Sequence, residues 1–319
     1  MPRLMVLITE PIDPACVAWL RERTDIVEAS VGTSEFQTSL ANAQAMVVRT
    51  YTIVGQELLV SAPKLKVIGR AGVGVDNIDL VACADRGIRV VHTPDANSTA
   101  VAEYVFASLL AATRAIPTVI HAPRDRAEWT DLRRDAIARR ELGEMTLGLV
   151  GLGRVGRRVA RIARAFGMRT LYTDLLDLPE PDREGAEPAS IDRVLAECDV
   201  VSLHVDDRPG NRHLINDRAL QRIKPDAILI NTSRGFVVDA QSLAAFLRTN
   251  KAARAILDVH DPEPICPDSP LLGLPNAILT PHVAAATAAA HARMSWVVRD
   301  VWRVLTGEEP HHPAPTVHR

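Results

Sequence analysis

The chain has 319 residues, enough for about two domains at roughly 150 residues each, and its 47% hydrophobic and 24% charged residues are an ordinary globular composition. Lys+Arg 37 against Asp+Glu 39 leaves a net charge of −2, which argues against nucleic acid or a membrane surface as partner and favours small molecules. Cys16, Cys83, Cys198 and Cys266 form neither a C-x-x-C pair nor a zinc pattern, so free thiols in a reducing cytoplasm are expected. The N-terminal apolar run is too short for a signal peptide, and no later run is long enough to span a bilayer.

In chain order, residues 4–9 read as a strand and 14–23 as a helix. Residues 45–49 and 65–70 read as buried strands, with a helix near 55–61 between them. This alternation predicts a small parallel sheet. Gly69-Arg-Ala-Gly-Val-Gly-Val-Asp-Asn-Ile-Asp79 sets glycines between a strand and a helix starting near Ile78. It reads either as an anion cradle or as a glycine-rich connection with no ligand. A short strand at 88–92 precedes the turn and cap Pro94-Asp-Ala-Asn-Ser98 and a long apolar helix over 99–114, and the first domain boundary falls here. From Arg114 to Arg140 seven arginines face four acids, Asp125, Glu128, Asp131 and Asp135. Such a stretch reads as a solvated face, with a subunit-contacting arm as the alternative.

Residues 147–150 are an apolar run fit for a buried strand, and Gly151, Gly153 and Gly156 then complete G-x-G-x-x-G as Arg157 opens a helix. In such a turn the first glycine permits the bend and the second lets backbone approach a pyrophosphate. The third lets helix and strand pack closely, while free N–H groups at the helix start hold the anion. The next strand, 168–174, ends in Asp174, 18 positions after Gly156. A carboxylate there accepts ribose hydroxyls and repels a 2′-phosphate, so NAD is expected over NADP. Strands at 200–204, 227–231, 253–259 and 277–280 alternate with helices near 190–196, 216–222 and 240–249, a doubly wound sheet. A single last helix is expected over 288–305, followed by a tail poorly ordered at its extreme end.

Three strand ends in this second part carry polar groups: Asn231-Thr-Ser-Arg234-Gly235, Asp258-Val-His260-Asp-Pro-Glu263-Pro and Thr280-Pro-His282. Taken singly, each reads as readily as a loop residue. Together they suit oxidation of a 2-hydroxy acid. His282 can take the hydroxyl proton, Glu263 can raise the imidazole's basicity, and Arg234 can anchor a carboxylate. Asp258, His260, Asp261 and His204 lack ligand spacing, and no metal is expected.

These motifs, with Asn97-Ser-Thr-Ala-Val-Ala-Glu103, appear in one order along nearly the whole chain, and the chain resembles the D-isomer-specific 2-hydroxyacid dehydrogenases. The resemblance implies an α/β protein of two Rossmann-like, doubly wound parallel-sheet domains with a cleft between them. A discontinuous, flavodoxin-like substrate domain would comprise 1–97 and 287–319, and an NAD-binding Rossmann domain 98–286, with two crossing helices as hinge. It also implies that Arg234 binds substrate, Glu263 assists, His282 is the acid/base, and backbone groups at Val73 and Gly74 hold the substrate carboxylate. NAD would be held by Gly151, Gly153, Arg154, Val155, Gly156 and Asp174, with His204, Thr232 and Asp258. A homodimer through the NAD domain is implied as well.

Within the family the chain most resembles the D-3-phosphoglycerate dehydrogenases. Arg49 and Arg70 fall where those enzymes supply cations, and are candidates to bind a substrate phosphate. The alternative pairs Arg49 with a surface acid and Arg70 with its neighbouring loop. At 319 residues no additional regulatory domain, and no serine feedback through one, is expected. Two departures stand out: His92-Thr-Pro-Asp95-Ala-Asn replaces the usual Asn-Thr-Pro-Gly-Ala-Asn, and Asp206-Asp207-Arg208 follows His204 where relatives have Pro-Leu-Thr, so cofactor affinity is open. The rivals are a reductase of glyoxylate, hydroxypyruvate or another 2-keto acid, and an NAD-sensing corepressor-like scaffold, against which the intact trio speaks.

Overall fold

Short aliphatic runs buried on both faces build two parallel sheets, as expected where helices cover both sides. The computed structural model describes residues 3–114 and 116–315, and the chain divides into two units, Met1–Asn97 with Ala286–Arg319, and Ser98–Ala285.

The first unit begins with β1 (Met5–Ile8), α1 (Pro14–Arg21), β2 (Asp25–Glu28), α2 (Ser34–Leu40), β3 (Ala45–Val48), α3 (Gln56–Val60), β4 (Val67–Arg70), α4 (Leu80–Asp85) and β5 (Arg89–Val91). Its strands lie in the order β2-β1-β3-β4-β5, all parallel, so the winding reverses between β1 and β3. The hydrophobic pattern missed β2 and α2. The edge strand β2 has the sequence Asp-Ile-Val-Glu and no fully buried residue, and α2 buries only Phe36 and Leu40. A local polar contact starts α2, the Thr33 hydroxyl accepting from the Phe36 N–H at 3.2 Å.

The second unit holds α5 (Ser98–Thr113), α6 (Arg126–Asp135), β6 (Thr146–Val150), α7 (Arg154–Ala165), β7 (Arg169–Thr173), β8 (Glu187–Pro188), α8 (Ile191–Glu197) and β9 (Val200–Leu203). It continues with α9 (Asp217–Leu220), β10 (Ile228–Asn231), α10 (Ala240–Thr249), β11 (Arg254–Leu257) and β12 (Ala277–Leu279). Here the order is β12-β11-β10-β9-β6-β7-β8, again all parallel, and the reversal lies between β6 and β9. One core layer joins α5 and α7 to the sheet through residues such as Val105, Leu109, Leu149 and Val159; the other joins α8, α9 and α10 through Val194, Leu220 and Leu243.

Helix α6 forms inside the arginine-rich stretch, started by Asp125, whose carboxylate accepts from the Glu128 N–H at 2.9 Å, and it buries no residue. At the end of that stretch Arg140 bonds Asp199 at 2.9 Å, and Lys224 at 3.0 Å and the Thr146 N–H at 2.7 Å share the same carboxylate. Burial alone would raise the Asp199 pKa, but these three donors bring it down to about 2.

The chain then returns to the first unit as α11 (Ala288–Ser295) and α12 (Val298–Leu305), where one continuous helix was expected. Val297, Arg299 and Asp300 donate three residues back rather than four, a tight turn that breaks the helix. This turn brings Val297, Val298 and Val301 onto the sheet of the first unit, where Gly69 leaves room: a Cβ there would stand 2.4 Å from Val301. The expectation for the extreme C-terminus falls outside the described residues. Among the described residues no helix is long and apolar enough to cross a membrane.

Candidate active site

The Gly151–Gly156 turn lies at the carboxyl end of β6, beside the reversal point of the second sheet, where open α/β sheets bind ligands. Gly151 has φ +95°, and a Cβ on it would meet the His204 carbonyl oxygen at 2.6 Å. On Gly156 a Cβ would stand 2.3 Å from the Gly151 oxygen. Both glycines are therefore demanded by the protein's own packing. Gly153 is not: a Cβ there meets nothing within 4 Å. Space kept open at the middle glycine fits a ligand that approaches the backbone. Helix α7 begins at Arg154, three residues before the start read from the sequence, because Gly156 packs inside its first turn. Gly153 gives it no side-chain cap, so Arg154 and Val155 open a helix whose first N–H groups suit an anion.

Asp174 follows β7 and accepts from the Leu152 N–H at 2.6 Å and the Leu176 N–H at 3.0 Å. A carboxylate offers roughly four acceptor positions, so it braces the glycine turn and keeps capacity for ribose hydroxyls. His204, at the end of β9, lies 2.9 Å from the Ser202 hydroxyl through Nε2, and burial pulls its pKa down to about 4, so its ring is neutral. Asp206 is tied back into its own loop by Arg208 Nε at 2.7 Å and Asn211 Nδ2 at 3.0 Å. Its bond to Arg208, against a smaller effect of burial, holds its pKa low. The Thr232 hydroxyl is buried with no hydrogen-bond partner, an orphaned polar group on the same carboxyl edge. The open Gly153, the uncapped α7 and this hydroxyl all fit a dinucleotide.

The trio is carried by three loops after β10, β11 and β12. Asn231 shapes the first, accepting from the Ser233 N–H at 3.0 Å and donating to the Arg234 carbonyl at 2.8 Å, which sets Arg234 on the turn. Gly235 admits the neighbouring loop, since a Cβ would lie 2.0 Å from the His260 carbonyl group. Glu263 accepts from the His260 N–H at 3.0 Å and meets His282 Nδ1 at 2.9 Å. Burial alone would raise the Glu263 pKa, yet the bonds from His282 and the His260 N–H leave it below the usual value. His282 has φ +55°, a conformation that costs strain in a residue with a Cβ.

Asp258 holds His282 there. Fully buried, it accepts from the Thr280 hydroxyl at 2.7 Å, the Val283 N–H at 2.8 Å and the Ala284 N–H at 2.7 Å, while its carbonyl accepts from the His282 N–H at 2.8 Å. Its carboxylate, expected beside the cofactor, holds the loop that carries the histidine. Tyr104 of α5 bonds the Thr280 hydroxyl at 2.6 Å and extends this support. The sequence reading passed over Tyr104, which has no motif around it; its position one helical turn past Ala100, on the buried face of α5, was the available signal.

In the first unit, Arg49 and Arg70 stand at the ends of adjacent strands, Val48 pairing with Arg70. Arg49 Nη1 donates to the Pro11 carbonyl at 3.0 Å, not to an acid. Arg70 folds over Gly72, where a Cβ would collide with its guanidinium, and donates to the Ala71 carbonyl at 3.3 Å, its own neighbouring loop. The loop 71–79 is no helix-start cradle, because the Asp79 side chain caps α4 itself, accepting from the Ala82 N–H at 2.9 Å. Any anion there must be held by loop N–H groups, and those of Val73 and Gly74 donate to no acceptor among the described residues. No cluster of three or more metal-ligating side chains occurs among the described residues.

The family description "D-isomer specific 2-hydroxyacid dehydrogenase, NAD binding domain" matches residues 106–284. The chain is 38% identical over 311 residues to a D-3-phosphoglycerate dehydrogenase of Methanocaldococcus jannaschii, covering 95% of this chain and 58% of that one. It is 38% identical over 309 residues to a (S)-sulfolactate dehydrogenase of Chromohalobacter salexigens, covering 95% and 98%. The chain thus spans little more than half the length of the phosphoglycerate dehydrogenases it matches. The crystal structure of the TT0316 protein from Thermus thermophilus superposes with a TM-score of 0.84 at 35% identity, over 98% of this chain and 100% of that one. With open glycine, uncapped helix and family match falling in one unit, the chain belongs to the D-isomer-specific 2-hydroxyacid dehydrogenases, and its second unit is their NAD-binding domain.

Proposed function

We propose that the protein is an NAD-dependent oxidoreductase that interconverts a D-2-hydroxy acid and its 2-keto acid, with 3-phosphoglycerate and 3-phosphohydroxypyruvate of serine biosynthesis as the favoured pair. The observation that carries this is the 2.9 Å contact between His282 Nδ1 and Glu263. A carboxylate can only accept, so Nδ1 carries the hydrogen and Nε2 is left as the base. Bound NAD supplies the two-electron acceptor for the hydride that leaves C2. His282 Nε2 takes the C2 hydroxyl proton as the carbonyl forms, and Glu263 stabilises the resulting imidazolium. Arg234 binds substrate with its planar pair of donors; for the first unit, the resemblance gives the substrate carboxylate to the Val73 and Gly74 N–H groups. Gly151, Gly153, Arg154, Val155 and Gly156 would hold the pyrophosphate and Asp174 the adenosine ribose, with His204, Thr232 and Asp258 as further cofactor-binding candidates.

Phosphoglycerate is favoured by the names of the relatives and by the cations Arg49 and Arg70. A second reading, an unphosphorylated 2-keto acid such as glyoxylate or hydroxypyruvate, is favoured by the backbone bonds that both arginines already make. NADH absorbance with 3-phosphoglycerate, 3-sulfolactate, glyoxylate and hydroxypyruvate separates them. A KM for phosphoglycerate that rises in Arg49→Ala, with glyoxylate unaffected, supports the first reading. Turnover of glyoxylate or hydroxypyruvate alone keeps the mechanism and discards the phosphate. NADH binding without turnover of any substrate moves the scaffold reading forward. We also propose a cytoplasmic homodimer joined through the NAD unit. The four free cysteines fit the compartment, and Ile116, Ile120 and Ile137, 89%, 80% and 75% exposed around α6, fit the interface. Sedimentation at low micromolar concentration checks the dimer.

A further inference from the structure

We infer that His92 is a positioning residue for the substrate carboxylate, acting with Thr93 on the two peptide planes that carry the Val73 and Gly74 N–H groups. This rests on the reading of Val73 and Gly74 given above. His92 Nδ1 lies 2.8 Å from the Val73 carbonyl oxygen; a carbonyl only accepts, so Nδ1 donates. Thr93 donates to the preceding carbonyl, Gly72, from its N–H at 3.0 Å and from its hydroxyl at 3.1 Å. Peptide groups are planar, and in a trans peptide the C=O and N–H point from opposite edges. The only cis bonds among the described residues are Asp261-Pro262 and Glu263-Pro264. Anchoring the Gly72 oxygen therefore aims the Val73 N–H, and anchoring the Val73 oxygen aims the Gly74 N–H. Each of the two successive donors is thus set by an anchor on the opposite edge of its own peptide plane.

The anchors are themselves held. His92 follows the edge strand β5, and the C-terminal segment lies antiparallel along that edge, with Val91 bridging Pro313, the His92 N–H donating to the His312 carbonyl at 3.1 Å and the Ala314 N–H to Val90 at 2.8 Å. The segment is fixed in turn by buried Asp300 of α12, whose two oxygens accept the His311 and His312 N–H groups at 2.9 Å each. The path from Asp300 through the C-terminal segment and His92 to Val73 lies entirely within the first unit. It explains what the histidine in His92-Thr-Pro-Asp95 does: it supplies a side-chain N–H to Val73, as an asparagine amide could.

The test compares wild type with His92→Leu, His92→Asn and Thr93→Val, reading KM and kcat for the active 2-keto acid, NADH affinity by fluorescence, oxamate binding to the NADH-loaded protein by calorimetry, and melting temperature. His92→Leu should raise KM and weaken oxamate by about tenfold, with kcat within about twofold and NADH affinity unchanged. His92→Asn should restore both to within about twofold, because its amide N–H can donate to Val73. Thr93→Val, which keeps the backbone donor to Gly72, should have a smaller effect than His92→Leu. A folded His92→Leu with wild-type KM and oxamate affinity overturns the inference alone. So does a parallel fall in kcat and NADH affinity that His92→Asn does not rescue. If wild type neither turns over a 2-keto acid nor binds oxamate, the reading of the Val73 and Gly74 loop fails and takes this inference with it.

Discussion

The two sheets are wound by the same rule, and each reverses direction once, yet the crevices at the two reversal points have opposite fates. In the second unit the crevice between β6 and β9 is kept open by Gly153 and faced by a helix start with no cap. In the first unit the matching crevice between β1 and β3 is filled by the chain's own anion. The Glu10 carboxylate accepts the N–H groups of Arg49, Thr50, Tyr51 and Thr52, at 3.0 to 3.2 Å. Helix α4 is likewise closed by its own Asp79. Topology offers each sheet a binding place, and individual residues decide whether a ligand or a side chain takes it. On the proposed function the second unit would bind with an open helix start and react with side chains, while the first would present loop N–H groups.

The largest expected effect tests where the chemistry lies. His282→Ala should lower turnover by about 10²-fold or more while NADH titrates as in wild type; undiminished turnover would remove His282 from the mechanism. Next, the plug in the first unit should matter for stability alone. Glu10→Gln should cost about 1–3 kcal/mol, seen as a lower urea midpoint, with NADH affinity unchanged. The sign of its pH dependence follows from the Glu10 pKa. Burial would raise it, but the backbone N–H groups, together with the Thr52 side chain, outweigh burial and hold it below the ordinary 4.5. The contribution is therefore complete above pH 4.5 and lost as pH falls through the folded value. Wild type should lose its advantage over Glu10→Gln on acidification, and a constant gap would refute this account of Glu10. At the open crevice, Gly153→Ala should leave the melting temperature in place and weaken NADH by about tenfold. Equal binding would mean that no pyrophosphate approaches there. The smallest change concerns selectivity: Asp174→Ala should weaken NADH and narrow its advantage over NADPH, and an unaltered ratio would assign that preference to another residue.

Much of this contrast could be read in the residues, and the part that could not has physical causes. The central strands of the second sheet were legible because they are buried on both faces, as Val200 to Leu203 and Ile228 to Asn231 are, so apolar runs mark them directly, whereas the exposed two-residue edge strand β8 was missed. Helix α10 was placed to the residue, with Asp239 capping it. Edge strand β2 and exposed α6 carry no such signal, since nothing buried imposes a period on them. The tight turn at Gly151 and the place of Asp174 after β7 were legible through spacing. The filling of the first crevice was not, because Glu10 meets its donors about 40 residues away, and no local pattern announces a carboxylate accepting from a distant loop. Asp258 was noticed, but its service to the Val283 and Ala284 backbone depends on the neighbouring strand β12 and appears only in three dimensions.

The way α11 and α12 return to the first unit has a consequence for biosynthesis. Valines 297, 298 and 301 share one core layer with Val6, Ile8, Val67 and Val91, to which α1 adds Cys16, Val17 and Leu20, so the part of that face not covered by α1 stays open until α11 and α12 leave the ribosome. Residues 98–285 form a unit from one uninterrupted segment and can complete their core earlier. The nascent chain can thus carry a finished cofactor-binding unit while part of one apolar face of the N-terminal sheet is still bare, an interval that favours aggregation. Slower translation of the last helices, or a destabilised α12, should therefore lower the yield of soluble protein more than the activity of the molecules that fold.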